Sequence, residues 1–158
     1  MKTALFILLM SITVSLHSQR IDGKYKDNFG HTLEIKSDST FKFEWKFDLT
    51  YTWVKGEWTK EKDLLYLNNI AVYDTLVRPG QPDSLVLSID PISSKINNEE
   101  FIESLLTSGG QKNNGLPKIL KQEDERLYLV DENNRVLKQK RRGILSDRKK
   151  RTFYRKVY

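Results

Sequence analysis

Few residues in this chain have side chains suited to acid, base or nucleophilic chemistry. The chain contains no cysteine, and after its first eighteen residues it contains one histidine, His31. Thiol catalysis and Cys/His zinc sites therefore have almost no basis, and any Ser-His-Asp relay would have to use His31. His31 follows a turn-like Asp-Asn-Phe-Gly segment and begins an alternating pattern. We interpret it as a hairpin-end residue, and we predict no catalytic residue, metal ligand or cofactor.

Paired carboxylates are the remaining route to catalysis, because two Asp or Glu side chains suffice to hydrolyse a glycosidic bond. Glu34 and Glu44 lie in neighbouring strand patterns and could meet across a hairpin. Both alternate with apolar residues, which favours a solvated sheet face. A carboxylate-based hydrolase of envelope glycans is the alternative function. Residues 131–134 (Asp-Glu-Asn-Asn) lack the spacing of a calcium loop and are interpreted as a turn.

Aromatic side chains form the strongest structural pattern. From Thr40 to Phe47 every second residue is aromatic, which predicts a strand with one buried face. In the next strand, residues 51–58, the aromatic parity changes, and this predicts a β-bulge at residues 54–56. These aromatics form either a core or the lining of a site for a small apolar ligand. The candidate ligand-binding residues are Trp45, Trp53 and Trp58.

Basic residues are concentrated near the C-terminus. Residues 135–158 contain eleven basic side chains and one acidic one, whereas residues 19–134 contain fifteen basic and twenty acidic ones. Such asymmetry is typical of contact with polyanions. The candidate polyanion-binding residues are Lys140, Arg141, Arg142, Arg148, Lys149, Lys150 and Arg151.

Residues 1–18 indicate which polyanions are available. Lys2 precedes thirteen residues without a charge, a pattern typical of a signal peptide and shorter than a membrane span. We predict cleavage before Gln19; a buried N-terminal helix and a single-pass anchor are the alternatives. An exported protein, periplasmic, outer-surface or secreted, would meet lipid phosphates and acidic glycans rather than nucleic acid. After cleavage no transmembrane span is expected.

The remaining 140 residues, 19–158, suffice for a single β-rich domain. Residues 23–89 are predicted to form an antiparallel meander, and residues 135–158 a basic C-terminal hairpin. One short helix is predicted after Asn97, with Glu100 completing a capping box. Its apolar stripe is expected to pack on the sheet or to close one end of a barrel. That stripe consists of Phe101, Ile102, Leu105 and Leu106.

Several short motifs together resemble a known group of proteins. They are Gly23-Lys-Tyr25, the segment from Leu33 to Phe41, Gly56-Glu-Trp58, residues 63–67, residues 82–87 and residues 127–133. The combination resembles the small exported lipocalin-like or half-barrel proteins of Bacteroidota, most of which have no assigned activity. The resemblance implies a mainly β fold, an antiparallel meander or lipocalin-like partial barrel with one short helix. It also implies export. The aromatic alternation and the absence of catalytic residue sets predict a binding or interaction module without catalysis.

Overall fold

The computed structural model describes residues 20–106, 109–113, 115–143 and 146–158. The predicted signal peptide, residues 1–18, lies outside these ranges. No helix in the described part of the chain has the length and apolar character needed to cross a membrane.

The chain begins with five strands, each paired antiparallel with the next: β1 (Gly23–Lys26), β2 (His31–Ile35), β3 (Thr40–Phe47), β4 (Thr50–Glu61) and β5 (Leu64–Ile70). An insertion follows, here called the accessory layer: β6 (Tyr73–Leu76), β7 (Ser84–Leu87), β8 (Lys95–Ile96), helix α1 (Asn98–Leu106) and β9 (Gly110–Gln111). The last five strands are β10 (Ile119–Glu123), β11 (Arg126–Leu129), β12 (Lys140–Gly143), β13 (Ser146–Arg151) and β14 (Phe153–Val157).

Eight of these strands form a closed antiparallel barrel. After β5 the sheet continues through β10, β11 and β14, and β14 pairs with β1. The predicted mainly β class with one short helix is confirmed in the described residues, and the barrel is closed rather than partial. Strands β12 and β13 pair only with each other and form a two-stranded ribbon between β11 and β14.

The barrel interior is filled with side chains. The alternation predicted for β3 is confirmed, because Phe41 and Phe43 are 2% and 1% exposed and lie in the core. Tyr25, Leu33 and Leu120 pack in the same cluster. The middle of the barrel is therefore a packed core, and any pocket must lie at an end.

The predicted bulge in β4 is wrong. Pairing between β3 and β4 runs without a shift from Thr40↔Glu57 to Phe47↔Thr50, and pairing with β5 is equally regular. The aromatic parity changes because Trp53 is buried on the outer face of the barrel. The accessory layer covers it there, and its indole N–H donates to the Ile89 carbonyl oxygen at 2.7 Å.

The accessory layer differs from the sequence predictions in two respects. The meander ends at Ile70, because β6 leaves the barrel and pairs with β7 and β8 in a separate sheet. The capping box of α1 is confirmed: the Glu100 N–H donates to Asn97 Oδ1 and the Asn97 N–H to Glu100 Oε2. The expected packing of its apolar stripe is wrong, since Leu106 is 82% exposed and α1 buries no residue. Barrel side chains already fill the core, and α1 lies outside it.

Candidate functional site at the mouth of the barrel

The candidate site lies at one end of the barrel, here called the mouth, where β1 and β3 end and β2 and β14 begin. The core-facing positions of β2, β3, β11 and β14 place His31, Trp45, Leu129 and Tyr154 there. These side chains line a cavity of about 400 Å³, the mouth pocket, which is within the usual size of small-ligand sites. Its other described lining residues are Asp27, Phe29, Gly115, Arg141, Arg142, Thr152 and Phe153.

Asp27 organises the loop between β1 and β2. Its Oδ1 accepts the backbone N–H groups of Phe29 and His31 at 2.8 and 2.9 Å, as an Asx turn does. Its Oδ2 lies 2.7 Å from His31 Nδ1, and the two side chains are only 7% and 19% exposed. The other ring nitrogen, Nε2, lies beside Gly115, where an added Cβ would be 3.4 Å away. The carboxylate thus fixes the orientation of the imidazole at the edge of the pocket.

Aromatic rings form the wall behind this histidine. The His31 ring stacks on Phe43, with ring centroids 5.3 Å apart. Trp45 stacks on Phe47 at 5.9 Å, and its indole N–H donates to the Phe29 carbonyl oxygen at 3.1 Å. The hydrogen bond holds the indole in place, so its ring presents a rigid apolar surface to the pocket.

Tyr154 is the most deeply buried aromatic residue among those that line the mouth pocket. It is 4% exposed, and burial, and after it the negative charge of Asp27, raises the pKa of its hydroxyl above the ordinary value. The hydroxyl is therefore protonated at neutral pH. Among the described lining residues Asp27 is the single carboxylate, and it already serves two backbone N–H groups and the imidazole.

Strands β12 and β13, the cationic ribbon, supply the basic side of the mouth. Their register places like charges directly opposite each other in three successive pairs: Lys140↔Arg151, Arg141↔Lys150 and Arg142↔Lys149. All six side chains are exposed, and none forms an ion pair with another described residue. Like charges at directly opposed positions destabilise a strand pair. An anionic group bound from outside would therefore reduce the repulsion between the two strands of the ribbon.

Hydrogen bonds to backbone carbonyl oxygens attach the base of the cationic ribbon to the mouth. Asn28, in the loop that carries Asp27, donates from Nδ2 to the Arg151 carbonyl oxygen at 3.2 Å. On the other side, both the N–H and the hydroxyl of Thr152 donate to the Gln139 carbonyl oxygen. Arg141 and Arg142 of this ribbon are among the residues that line the mouth pocket.

The structure separates the three predicted ligand-binding tryptophans. Trp45 lines the mouth pocket, whereas Trp53 is fully buried beneath the accessory layer. Trp58 packs against the core at the opposite end of the barrel, and its indole N–H donates to the Lys36 carbonyl oxygen at 2.9 Å. Of the predicted basic residues, Arg141 and Arg142 line the pocket. The others, Lys140, Arg148, Lys149, Lys150 and Arg151, lie along the same ribbon.

The two carboxylates considered for catalysis face outward, as their alternation predicts. Glu34 is paired across the sheet with Lys24 and Lys42. Glu44 Oε1 accepts the Tyr51 hydroxyl at 2.5 Å and lies 2.9 Å from Lys42 Nζ. Burial opposes ionisation of Glu44, but these two hydrogen bonds hold its pKa below the ordinary value. Both groups therefore belong to surface charge networks outside the mouth pocket.

The turn predicted for residues 131–134 is confirmed. Asp131 Oδ1 accepts the backbone N–H groups of Asn133 and Arg135, both at 2.9 Å. Among the described residues no group of three or more His, Asp or Glu side chains is arranged to hold a metal ion.

The chain matches no known family model, no curated protein and no solved structure. The resemblance to exported lipocalin-like proteins therefore stays a prediction.

Sequence reasoning missed the role of His31, which it placed correctly at the start of a strand. The available signal was Asp27, four residues earlier and followed by a glycine at position 30, a spacing suited to an Asx turn. Phe29, Leu129 and Tyr154 carried no such signal. Phe29 is held beside His31 by the Asp27 turn, whereas Leu129 and Tyr154 meet His31 only because β11 and β14 return to the same end of the barrel.

Proposed function

We propose that this protein is an exported, non-catalytic binding module of the bacterial cell envelope that holds a small amphiphilic anion in the mouth pocket. Export is supported by the signal-like residues 1–18. The site is supported by one observation: Arg141 and Arg142 line the same cavity as the aromatic wall around Trp45.

This pairing of surfaces favours a specific class of ligand. The apolar wall offers contact to an alkyl chain or aromatic ring, which gains by leaving water. The guanidinium groups offer planar, charge-assisted donors that fit a carboxylate or phosphate. A ligand with an apolar body and one anionic head satisfies both. A neutral apolar molecule would gain nothing from the two exposed arginines, which would stay hydrated.

Binding without catalysis is favoured by what the mouth pocket offers to a reacting group. Glycoside hydrolysis needs two carboxyl groups about 5–10 Å apart. The described lining of the pocket has Asp27 alone, and its oxygens are engaged. Nucleophilic catalysis would need a hydroxyl or thiol paired with the imidazole. The Thr152 hydroxyl donates instead to a backbone carbonyl oxygen. The glycan hydrolase therefore receives no support from this geometry.

Calorimetric titration of the chain lacking residues 1–18, which retains the whole barrel, tests this function. Decanoate and decyl phosphate should bind, and decanol should bind at least about tenfold more weakly, because it lacks the charge-assisted hydrogen bonds. Arg141→Gln with Arg142→Gln should weaken decanoate binding about tenfold to a hundredfold. Trp45→Leu should weaken decanoate and decanol alike.

A matched control uses the same ribbon. Lys149→Gln with Lys150→Gln removes two charges from side chains that are not among the pocket lining, and decanoate binding should change less than about threefold at physiological salt. Equal binding of decanoate and decanol, or equal loss in the two double variants, would contradict the proposed function.

A further inference from the structure

The mouth carries a second surface outside the pocket, at the turn between β3 and β4. Strand β3 ends at Phe47 and β4 begins at Thr50, so Asp48 and Leu49 form the turn. Leu49 is 93% exposed. Phe47, at the end of β3, is stacked on Trp45, which lines the mouth pocket. An exposed apolar side chain thus projects from the same end of the barrel as the cationic ribbon.

We propose that the mouth end docks on the surface of an anionic lipid bilayer. Headgroup phosphates would neutralise the cationic ribbon, and Leu49 would enter the interface between headgroups and acyl chains. This docking goes beyond the proposed function, because it does not require the mouth pocket to hold a ligand. It would also bring the pocket opening to the place where amphiphilic anions are concentrated.

The charge arrangement supports a partner with many negative groups. Three successive like-charge pairs cost stability in the isolated ribbon, and an anionic surface turns that cost into attraction. The six cations at the paired positions, residues 140–142 and 149–151, take part in none of the ion pairs of the described barrel, and the one carboxylate within the ribbon is Asp147. An anionic surface would therefore contact the ribbon without displacing existing partners of its paired positions.

The exposed Leu49 side chain favours a bilayer over other polyanions. An acidic glycan or a nucleic acid offers phosphates, sulfates or carboxylates to the ribbon, but no apolar phase for Leu49. A bilayer offers both, and peripheral proteins combine basic residues with an inserted apolar side chain in this way. Exposed leucine at a turn and a basic ribbon at the same end of a barrel are both explained by one partner.

Vesicle sedimentation tests the electrostatic part. The chain lacking residues 1–18 should bind phosphatidylcholine vesicles that contain about 30% phosphatidylglycerol and should not bind pure phosphatidylcholine. Replacing Arg148, Lys149 and Lys150 by Gln should weaken partitioning about a hundredfold. These three side chains are exposed and are not among the pocket lining. Salt raised from about 0.15 M to about 1 M should release the protein, because the screening length falls to about 3 Å.

The matched control removes the same charge from the opposite end of the barrel. Lys36, Lys60 and Lys62 lie beside the β2–β3 and β4–β5 turns and are exposed. Replacing them by Gln should change partitioning by less than about fivefold, since only the general field is reduced. Equal effects of the two triple variants would overturn docking through the ribbon.

A fluorescent probe tests the orientation. Because the chain has no cysteine, Leu49→Cys and Lys62→Cys each give one labelling site at opposite ends of the barrel. With an environment-sensitive label, the Leu49 site should shift to shorter wavelength on anionic vesicles, and the Lys62 site should not. A Leu49 label that stays in water on vesicle-bound protein would overturn the proposal. So would binding to heparin without binding to vesicles.

The two proposals fail separately. Vesicle docking that persists when decanoate does not bind would overturn the proposed function and leave the docking surface intact. Decanoate binding in a protein that ignores anionic vesicles would do the reverse. Trp45→Leu should lower decanoate binding, while its vesicle docking should change less than about threefold, because the ribbon is intact.

Discussion

The strongest quantitative prediction about this fold concerns Gly56, in the middle of β4. It faces the barrel core between Val54 and Trp58, in a strand that pairs with both neighbours without interruption. A Cβ atom at Gly56 would lie 2.0 Å from the backbone oxygen of Asn68 in β5 and 2.7 Å from Phe41 Cε1. Glycine therefore lets β4 and β5 approach closely where Phe41 packs over them.

The cost of Gly56→Ala follows from these distances. Ordinary contact begins at 3.4 Å, so the backbone of β5 must move by about 1.4 Å. Such a shift breaks one or two ladder hydrogen bonds, each contributing about 1 kcal/mol. Crowding against Phe41 adds about 1 kcal/mol or more. We expect the free energy of unfolding to fall by about 3 kcal/mol and Tm by about 10 °C.

Guanidinium unfolding followed by circular dichroism measures this loss, with thermal unfolding as a second reading. Gly80→Ala is the control: Gly80 has φ +72° with nothing within 4 Å of an added Cβ, so it reports backbone strain of about 1 kcal/mol without a clash. In a double-mutant cycle, Gly56→Ala should cost about 1 kcal/mol less in a Phe41→Leu background than in the unaltered protein, because the smaller side chain relieves the contact with the ring. A loss below about 1 kcal/mol for Gly56→Ala would refute the close strand approach.

Three further outcomes are expected. Burial raises the pKa of Tyr25 to about 12 and also raises the pKa of Tyr154. Both side chains therefore stabilise the folded state as long as their hydroxyls are protonated. The stabilisation from Tyr25 is full below about pH 10 and is lost as pH rises towards 12. With a discount for solvent screening near its hydroxyl, Tyr25 should contribute about 2 kcal/mol, and Tyr25→Phe should flatten a urea-unfolding series over this range. Asn97→Ala removes the side-chain acceptor Oδ1 of the capping box and leaves the bond from the residue-97 backbone N–H to Glu100 Oε2; it should cost α1 about 1 kcal/mol, seen as faster amide exchange in the helix while exchange in barrel strands is unchanged. Asp27→Ala leaves three donors unsatisfied and should lower the free energy of unfolding by about 2 kcal/mol, with a changed His31 ring resonance in NMR spectra; an unchanged resonance would contradict the pairing.

The sequence predicted best those elements whose pattern is local. Strand β3 was predicted residue for residue, because its alternation reports one buried face. The capping box before α1 was also predicted, since both partners lie within four residues. Strand β10 was missed: its residues Ile-Leu-Lys-Gln-Glu show no sustained alternation, and its place between β5 and β11 depends on long-range pairing.

Two of the predictions that proved wrong concern the accessory layer, which lies outside the barrel. Trp53 departs from the apolar alternation of β4 because the accessory layer buries the outer face of the strand at that point. A strand that is buried on both faces has the same sequence pattern as a strand with a bulge. For α1 the error was the reverse, because burial was predicted for an apolar stripe that is exposed. An amphipathic pattern predicts a helix, but it does not show that another element packs against the apolar side. The mouth pocket was not predicted, because it forms only when the barrel closes, and no local sequence pattern encodes that closure.

The seam of the barrel has a consequence for how the protein is made. Strand β1 pairs with β14, from Lys24↔Val157 to Lys26↔Arg155, so the first and last strands of the described barrel are neighbours. The barrel cannot close until strand β14 is available. Until then the edges of β1 and β11 stay unpaired, and pairing across such a separation is slow. A chain threaded through a translocase with its N-terminus leading would therefore remain open throughout the passage and would close only on arrival.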